Sequence, residues 1–176
     1  EELSIKQEVF ASFEKIISPT AVFATNTSSL SVAQIGAKLT HPGRLVGFHF
    51  FNPVAVMPLV EVVRASTTTD ETLATAMKVA VGLRKTAVIT SDTTGFVVNR
   101  LLAKVLGEAM HAVDTGTHPS VVDAACAPFG LPMPPFVLLD LVGLKVGAHV
   151  LDTHHAAFPD RFFDSENLHK LADYGR

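Results

Sequence analysis

The chain has 176 residues, 48% of them hydrophobic and 18% charged, with a formal net charge of −3. That length suits one or two compact domains, and the 14 lysines and arginines are scattered, so no basic stripe exists to track a nucleic-acid backbone. The longest apolar runs are too short and too interrupted to cross a bilayer, and the single cysteine, Cys126, excludes an internal disulfide framework. One unpaired thiol suits a reducing compartment: the cytoplasm, or a mitochondrial or peroxisomal interior in a eukaryote. The chain opens on Glu1-Glu2-Leu3 with no signal peptide and closes on Asp173-Tyr174-Gly175-Arg176, so a longer parent chain is expected.

Residues 3–17 place Ile5, Val9, Phe13, Ile16 and Ile17 at helical spacing, and Pro19 stops the pattern. Ala21 to Thr25 is a short apolar run of the kind buried in parallel sheets, and Asn26-Thr27-Ser28-Ser29 breaks it with turn residues. A short helix is expected over 31–39, with one of the serines as its cap. Leu45 to Phe50 and Leu59 to Arg64 read as strands joined by a Pro-containing loop. Thr68 and Glu71 have capping-box spacing for a helix running to Leu83, and Thr86 to Thr90 is a further strand. Beyond Asp92 only helices are expected, over 95–116, 119–127, 136–157 and 165–173, with Val98, Leu102, Val105, Leu106 and Met110 on one side of the first. Pro132, Pro134 and Pro135 interrupt the helical pattern between the second and third. The fold class that follows is α/β, a partial Rossmann-type sheet over 1–91, then an all-α domain over 92–176 with a hinge at 91–94.

Period-two alternation sends Val46, Phe48 and Phe50 to one side of their strand and Gly47, His49 and Phe51 to the other, with the glycine leaving room beside the imidazole. His49 is then either a core histidine satisfied by a carbonyl or a base. Glu61 lies inside an equally apolar strand, Leu59 to Val63, where a carboxylate is costly unless paired. Either Glu61 sits on an edge in solvent, or the two groups meet as a buried pair. If they meet, the carboxylate fixes the ring tautomer and leaves the other nitrogen free as a base. Asn26, Ser28 and Asn52 directly follow strands, where open α/β sheets bind ligands, although turn and capping roles also suit them. Asn99 projects from a largely apolar helix side near the helix start, and a buried amide there needs a partner. His149, His154 and His155 could suggest a metal, but with no acid or thiol cluster nearby in sequence they read as helix surface. Cys126 reads as a small buried side chain.

Four ordered stretches, Asn26-Thr27-Ser28-Ser29-Leu30, His49-Phe50-Phe51-Asn52-Pro53, Leu59-Val60-Glu61-Val62 and Thr94-Gly95-Phe96-Val97-Val98-Asn99-Arg100, together resemble the 3-hydroxyacyl-CoA dehydrogenases over essentially the whole chain. The resemblance implies a Rossmann-type domain followed by a helical domain that forms a homodimer, with NAD as cofactor and an acyl-CoA as substrate. It places the catalytic base on His49, its carboxylate partner on Glu61, and the side chains that hold the substrate oxygen on Ser28 and Asn99. It also implies cofactor contacts for Asn26, Ser28 and Asn52, and for Glu1 and Lys6 in the opening segment.

The sequence departs from that family in three places. No G-x-G-x-x-G occurs among its glycines, so no pyrophosphate-binding turn is present, and these residues alone are expected to bind NAD poorly and turn over little. Thr94 stands where a proline is usual and Pro134 where a glycine is usual. Two other readings stay open, a non-catalytic binding or dimerisation module and a related two-domain dehydrogenase acting on another hydroxy substrate.

Overall fold

The computed structural model describes residues 2–174, and the chain forms two compact units, Glu1–Val97 and Val98–Arg176. The boundary falls just past the expected hinge at 91–94, because residues 92–97 are bonded into the first unit.

In the first unit, α1 (Leu3–Glu14), β1 (Phe23–Thr25), α2 (Val32–Ile35), β2 (Leu45–Phe50), β3 (Leu59–Arg64), α3 (Asp70–Gly82) and β4 (Thr86–Ser91) follow in that order. The strands make one four-stranded sheet in the order β1-β2-β3-β4. β1 runs parallel to β2 and β3 parallel to β4, but β2 and β3 are antiparallel. The connection at 51–58 explains that reversal, since a parallel crossover needs a dozen or more residues, roughly, and this one turns back directly.

The two faces of the sheet bury different halves of the alternating pattern. Val46 and Phe48 of β2 and Val60 and Val62 of β3 pack on Leu73, Ala76 and Ala80 of α3. Leu45 and Val63 face the other way, into a cluster with Phe23, Val32, Ile35, Leu39 and Phe96. Helix α1 presents Leu3 and Phe10 to that second cluster, joined by Ile17 just beyond it, and the Phe10 ring meets Phe23 edge-on at 5.3 Å. Of the expected apolar stripe only Ile17 packs there: Ile5, Val9, Phe13 and Ile16 are exposed, and Leu3, Phe10 and Ile17, spaced by seven, supply the contact face. Helix α3 is capped by Thr69, whose hydroxyl accepts from the Thr72 N–H, and not by Thr68. Thr68 is buried and bonds across to Leu45 O and Ala65 N.

Gly47 lies where β2 passes closest to its neighbours. A Cβ there would stand 2.6 Å from Val63 Cβ and 2.9 Å from Val32 Cγ2. The space expected beside the imidazole is therefore filled by valines.

The second unit is helical: α4 (Val98–Asp114), α5 (Pro119–Cys126), α6 (Pro135–Val142), α7 (Leu144–Ala157) and α8 (Glu166–Asp173). The single helix expected over 136–157 is broken at Gly143, whose φ of +95° no helix accommodates. Leu106 and Met110 of α4, Leu139 of α6, Leu151 of α7 and Leu168 of α8 meet Phe162 in the core. Val105, expected on the packed side of α4, is 37% exposed. Among the described residues no helix is long and apolar enough to cross a membrane.

His169 of α8 bridges two carboxylates, with Nε2 2.9 Å from Asp164 and 3.2 Å from Asp152 of α7. The Asp164 hydrogen bond is the largest influence on its pKa. With the charges of Asp152, Asp164 and Asp173 it outweighs partial desolvation and raises the value above 6.5.

Two measurements follow from this packing. Gly47→Ala is expected to lower stability by about 1–3 kcal/mol through overpacking against Val63, read as a lower urea midpoint; an unchanged midpoint would show that the two strands can part. His169 has a raised folded-state pKa, so its ion pairs contribute fully below about pH 6.5 and fade as pH rises through the higher folded value. Being half exposed, they are worth at most about 1 kcal/mol. The stability lost in His169→Gln should therefore be larger near pH 6 than near pH 9, and an equal loss at both would mean the imidazolium plays no part.

Candidate active site

β2 and β3 pair with His49 directly opposite Glu61. Opposed residues in an antiparallel ladder project to the same face with Cβ atoms roughly 5 Å apart, so an imidazole and a carboxylate placed there are driven together. Nδ1 of His49 lies 2.8 Å from Oε2 of Glu61, and the two residues are 6% and 1% exposed. An edge-strand position for Glu61 is thereby excluded. The other carboxylate oxygen, Oε1, accepts the Val97 N–H at 3.0 Å. The rings of Phe51 and Phe96 stand 4.7 Å and 5.6 Å from the imidazole and keep its surroundings apolar.

This geometry decides the tautomer. A carboxylate only accepts, so Nδ1 carries the proton and Nε2 is left with its lone pair. A ring held this way can take a proton at Nε2, and the resulting imidazolium is stabilised by the charge already beside it.

Of the polar residues beyond the strand ends, Asn26 is bonded to the strand that carries His49. Asn26, just after β1, accepts the N–H of Phe50 at 3.2 Å through its side-chain oxygen, and its backbone carbonyl receives Lys6 Nζ at 3.4 Å. Lys6, Asn26 and the end of β2 are thus bonded together at the carboxyl ends of two parallel strands, a position where open α/β sheets bind ligands. Ser28 is exposed in the turn that follows β1, a turn closed by Thr27 Oγ1 accepting from Leu30 N at 3.0 Å. Asn52 is exposed at the end of β2, ahead of a cis bond to Pro53. Glu1 lies outside the described residues. Asn99 is half-buried in the first turn of α4, in the second unit.

Asp92 is a structural residue that spacing alone did not single out. Its carboxylate accepts from the Ser31 hydroxyl, Val32 N and Ala33 N, each at 2.8 Å, and so holds the start of α2, which follows the turn carrying Ser28. Its position, an acid directly after a strand, was the available signal. Of the three clustered histidines, His149 is exposed, but His154 is buried with Nδ1 2.7 Å from Val150 O, and His155 bonds Phe162 O. The last two are packing groups of α7 and not a helix surface. Cys126 is partly exposed, not buried.

A sheet with polar groups beyond its carboxyl ends, a buried imidazole–carboxylate pair on that sheet and an all-helical unit after it are the parts of a protein with an α/β domain followed by a helical one. Residues 1–93 match the NAD binding domain of 3-hydroxyacyl-CoA dehydrogenase, and residues 95–176 match the C-terminal domain of the same enzyme. The chain belongs to the 3-hydroxyacyl-CoA dehydrogenase family, whose first domain takes NAD. It is 44% identical over 151 residues to the fatty acid oxidation complex subunit alpha of Vibrio cholerae serotype O1, covering 86% of this chain and 21% of that protein. Among solved structures it resembles 3-hydroxybutyryl-CoA dehydrogenase of Escherichia coli K12, with a TM-score of 0.95 and 36% identity over 100% of this chain and 38% of that one. It also resembles (S)-3-hydroxybutyryl-CoA dehydrogenase of Ralstonia eutropha, with a TM-score of 0.95 and 29% identity over 99% of this chain and 63% of that one.

Proposed function

We propose that the protein oxidises the 3-hydroxyl of an (S)-3-hydroxyacyl-CoA to a ketone in fatty acid β-oxidation, with NAD as the hydride acceptor. The observation that carries this reading is the buried His49–Glu61 pair, 2.8 Å apart. In this scheme Nε2 of His49 takes the hydroxyl proton as the hydride leaves C3. Glu61 stabilises the imidazolium across Nδ1–H, and Ser28 and Asn99 hold the substrate oxygen. Lys6, Asn26, Ser28 and Asn52 serve the nicotinamide end of NAD, as does Glu1. NAD, when bound, supplies the hydride chemistry itself. Residues 1–91 act as the cofactor-binding part and 92–176 as the substrate and dimerisation part.

The 176 residues contain no G-x-G-x-x-G turn, so on their own they are expected to bind NAD poorly. The two experiments that follow therefore use the full-length protein. His49→Gln keeps a donor for Glu61 but removes the base, and should lower kcat by about two to four orders of magnitude with little change in substrate binding. A variant that keeps most of its activity would end the dyad reading. Pairing of two copies through the helical unit predicts a dimer in sedimentation velocity, and a monomer at micromolar concentration would contradict it.

A further inference from the structure

Glu61 is held at both ends. While Oε2 faces the imidazole, Oε1 takes the N–H of Val97, the last residue of the first unit. With both oxygens engaged the carboxylate cannot rotate away from His49. The backbone that brings Val97 to this place is unusual. Gly95 has φ +71° and Phe96 φ +46°, two left-handed residues in succession, and the Phe96 N–H closes the turn onto Thr93 O at 2.8 Å. For a bulky L-residue that conformation is strained. Phe96 is nevertheless 2% exposed, packed among Phe23, Leu45 and Val63, with its ring 5.6 Å from that of His49.

Burial alone does not call for such a backbone, since a phenylalanine fills a core equally well from an ordinary conformation. What the left-handed pair delivers is the next N–H, aimed at the carboxylate. What the ring delivers is an anchor in the same core cluster that holds the turn there. We propose that Phe96 is a positioning residue of the dyad: its anchored, left-handed turn points the Val97 N–H at Glu61 and so fixes the carboxylate against His49. The inference rests on the reading of His49 and Glu61 as the acid–base pair. Phe96 acts only through Glu61, so its loss should appear in kcat and not in KM.

A double-mutant cycle on the full-length protein, following NADH formation from 3-hydroxybutyryl-CoA, separates this role from simple packing. Phe96→Gly relaxes the backbone and removes the anchor, and kcat is expected to fall about tenfold with KM changed less than about twofold. In a Glu61→Gln background the same substitution should add less than about a twofold further loss, because both changes act on one contact. Gly95→Ala strains the same turn while keeping the ring, and should behave alike. Effects that multiply between Phe96→Gly and Glu61→Gln, or an unchanged kcat in Phe96→Gly, would overturn the inference. Failure of both Phe96→Gly and Gly95→Ala to fold would assign the turn to folding alone, with the same result. An inactive wild type or a fully active His49→Gln would instead overturn the functional reading beneath it.

Discussion

A carboxylate in the middle of a sheet must have its oxygens met, because burying an unpaired charge costs several kcal/mol and leaving a buried acceptor without a donor costs about 1–3 kcal/mol. Glu61 imposes that condition here, and much of the first unit is arranged around it. The reversal at 51–58 makes β2 and β3 antiparallel, and the resulting register sets His49 opposite Glu61. Val63 and Val32 close around Gly47 on the same face and fix how near the two strands lie to the packing beneath them. The donor for the second oxygen comes from Val97, outside the sheet altogether. Ladder register, backbone turn and core packing thus converge on one side chain.

Much of this could be read in the sequence because strand periodicity is a short-range property. Alternation places His49 and Glu61 each on the inner face of its own strand, and two ionisable groups amid valines and phenylalanines leave few ways to be satisfied except by one another. The partner of the second oxygen was not readable. A backbone N–H has no sequence signature, and Phe96 in Gly95-Phe96-Val97 looks like any apolar residue at a helix start. Its left-handed φ is set by the surrounding core. Helix α1 was read only in part for a related reason: Ile5, Val9, Phe13 and Ile16 were expected to pack with Ile17, but Leu3 and Phe10 take that place on one short helix. The tertiary contact with Phe23 selects them. The shift of the α3 cap from Thr68 to Thr69 turns on a bond between Thr68 and Leu45, 23 residues away, which local spacing cannot register.

The polar residues beyond β1 and β2 differ from the dyad in kind. His49 and Glu61 are buried and bonded to each other. Asn26, Ser28 and Asn52 are exposed and owe their placement to the backbone that carries them. Asn26 is secured by the Phe50 N–H, one residue beyond His49, so the loop after β1 and the histidine are tied to the same two strand ends. On the proposed reading, that division leaves the proton acceptor in a dry place and the cofactor contacts open to an arriving ligand.

The stretch 92–97 joins these two kinds of residue. At its start the Asp92 carboxylate gathers Ser31, Val32 and Ala33 at the start of α2, just beyond the turn holding Ser28. At its end the Val97 N–H reaches Glu61. Between them, Thr93 O receives the Phe96 N–H and closes the turn. One acid therefore belongs to the stretch and binds the sheet's first loop, while the other belongs to the sheet and binds the stretch. A displacement at either end must break a charge-assisted hydrogen bond, a stronger contact than a neutral one. That is a reason for the chain to keep an aspartate immediately after β4, where a neutral turn residue would satisfy the local backbone equally well.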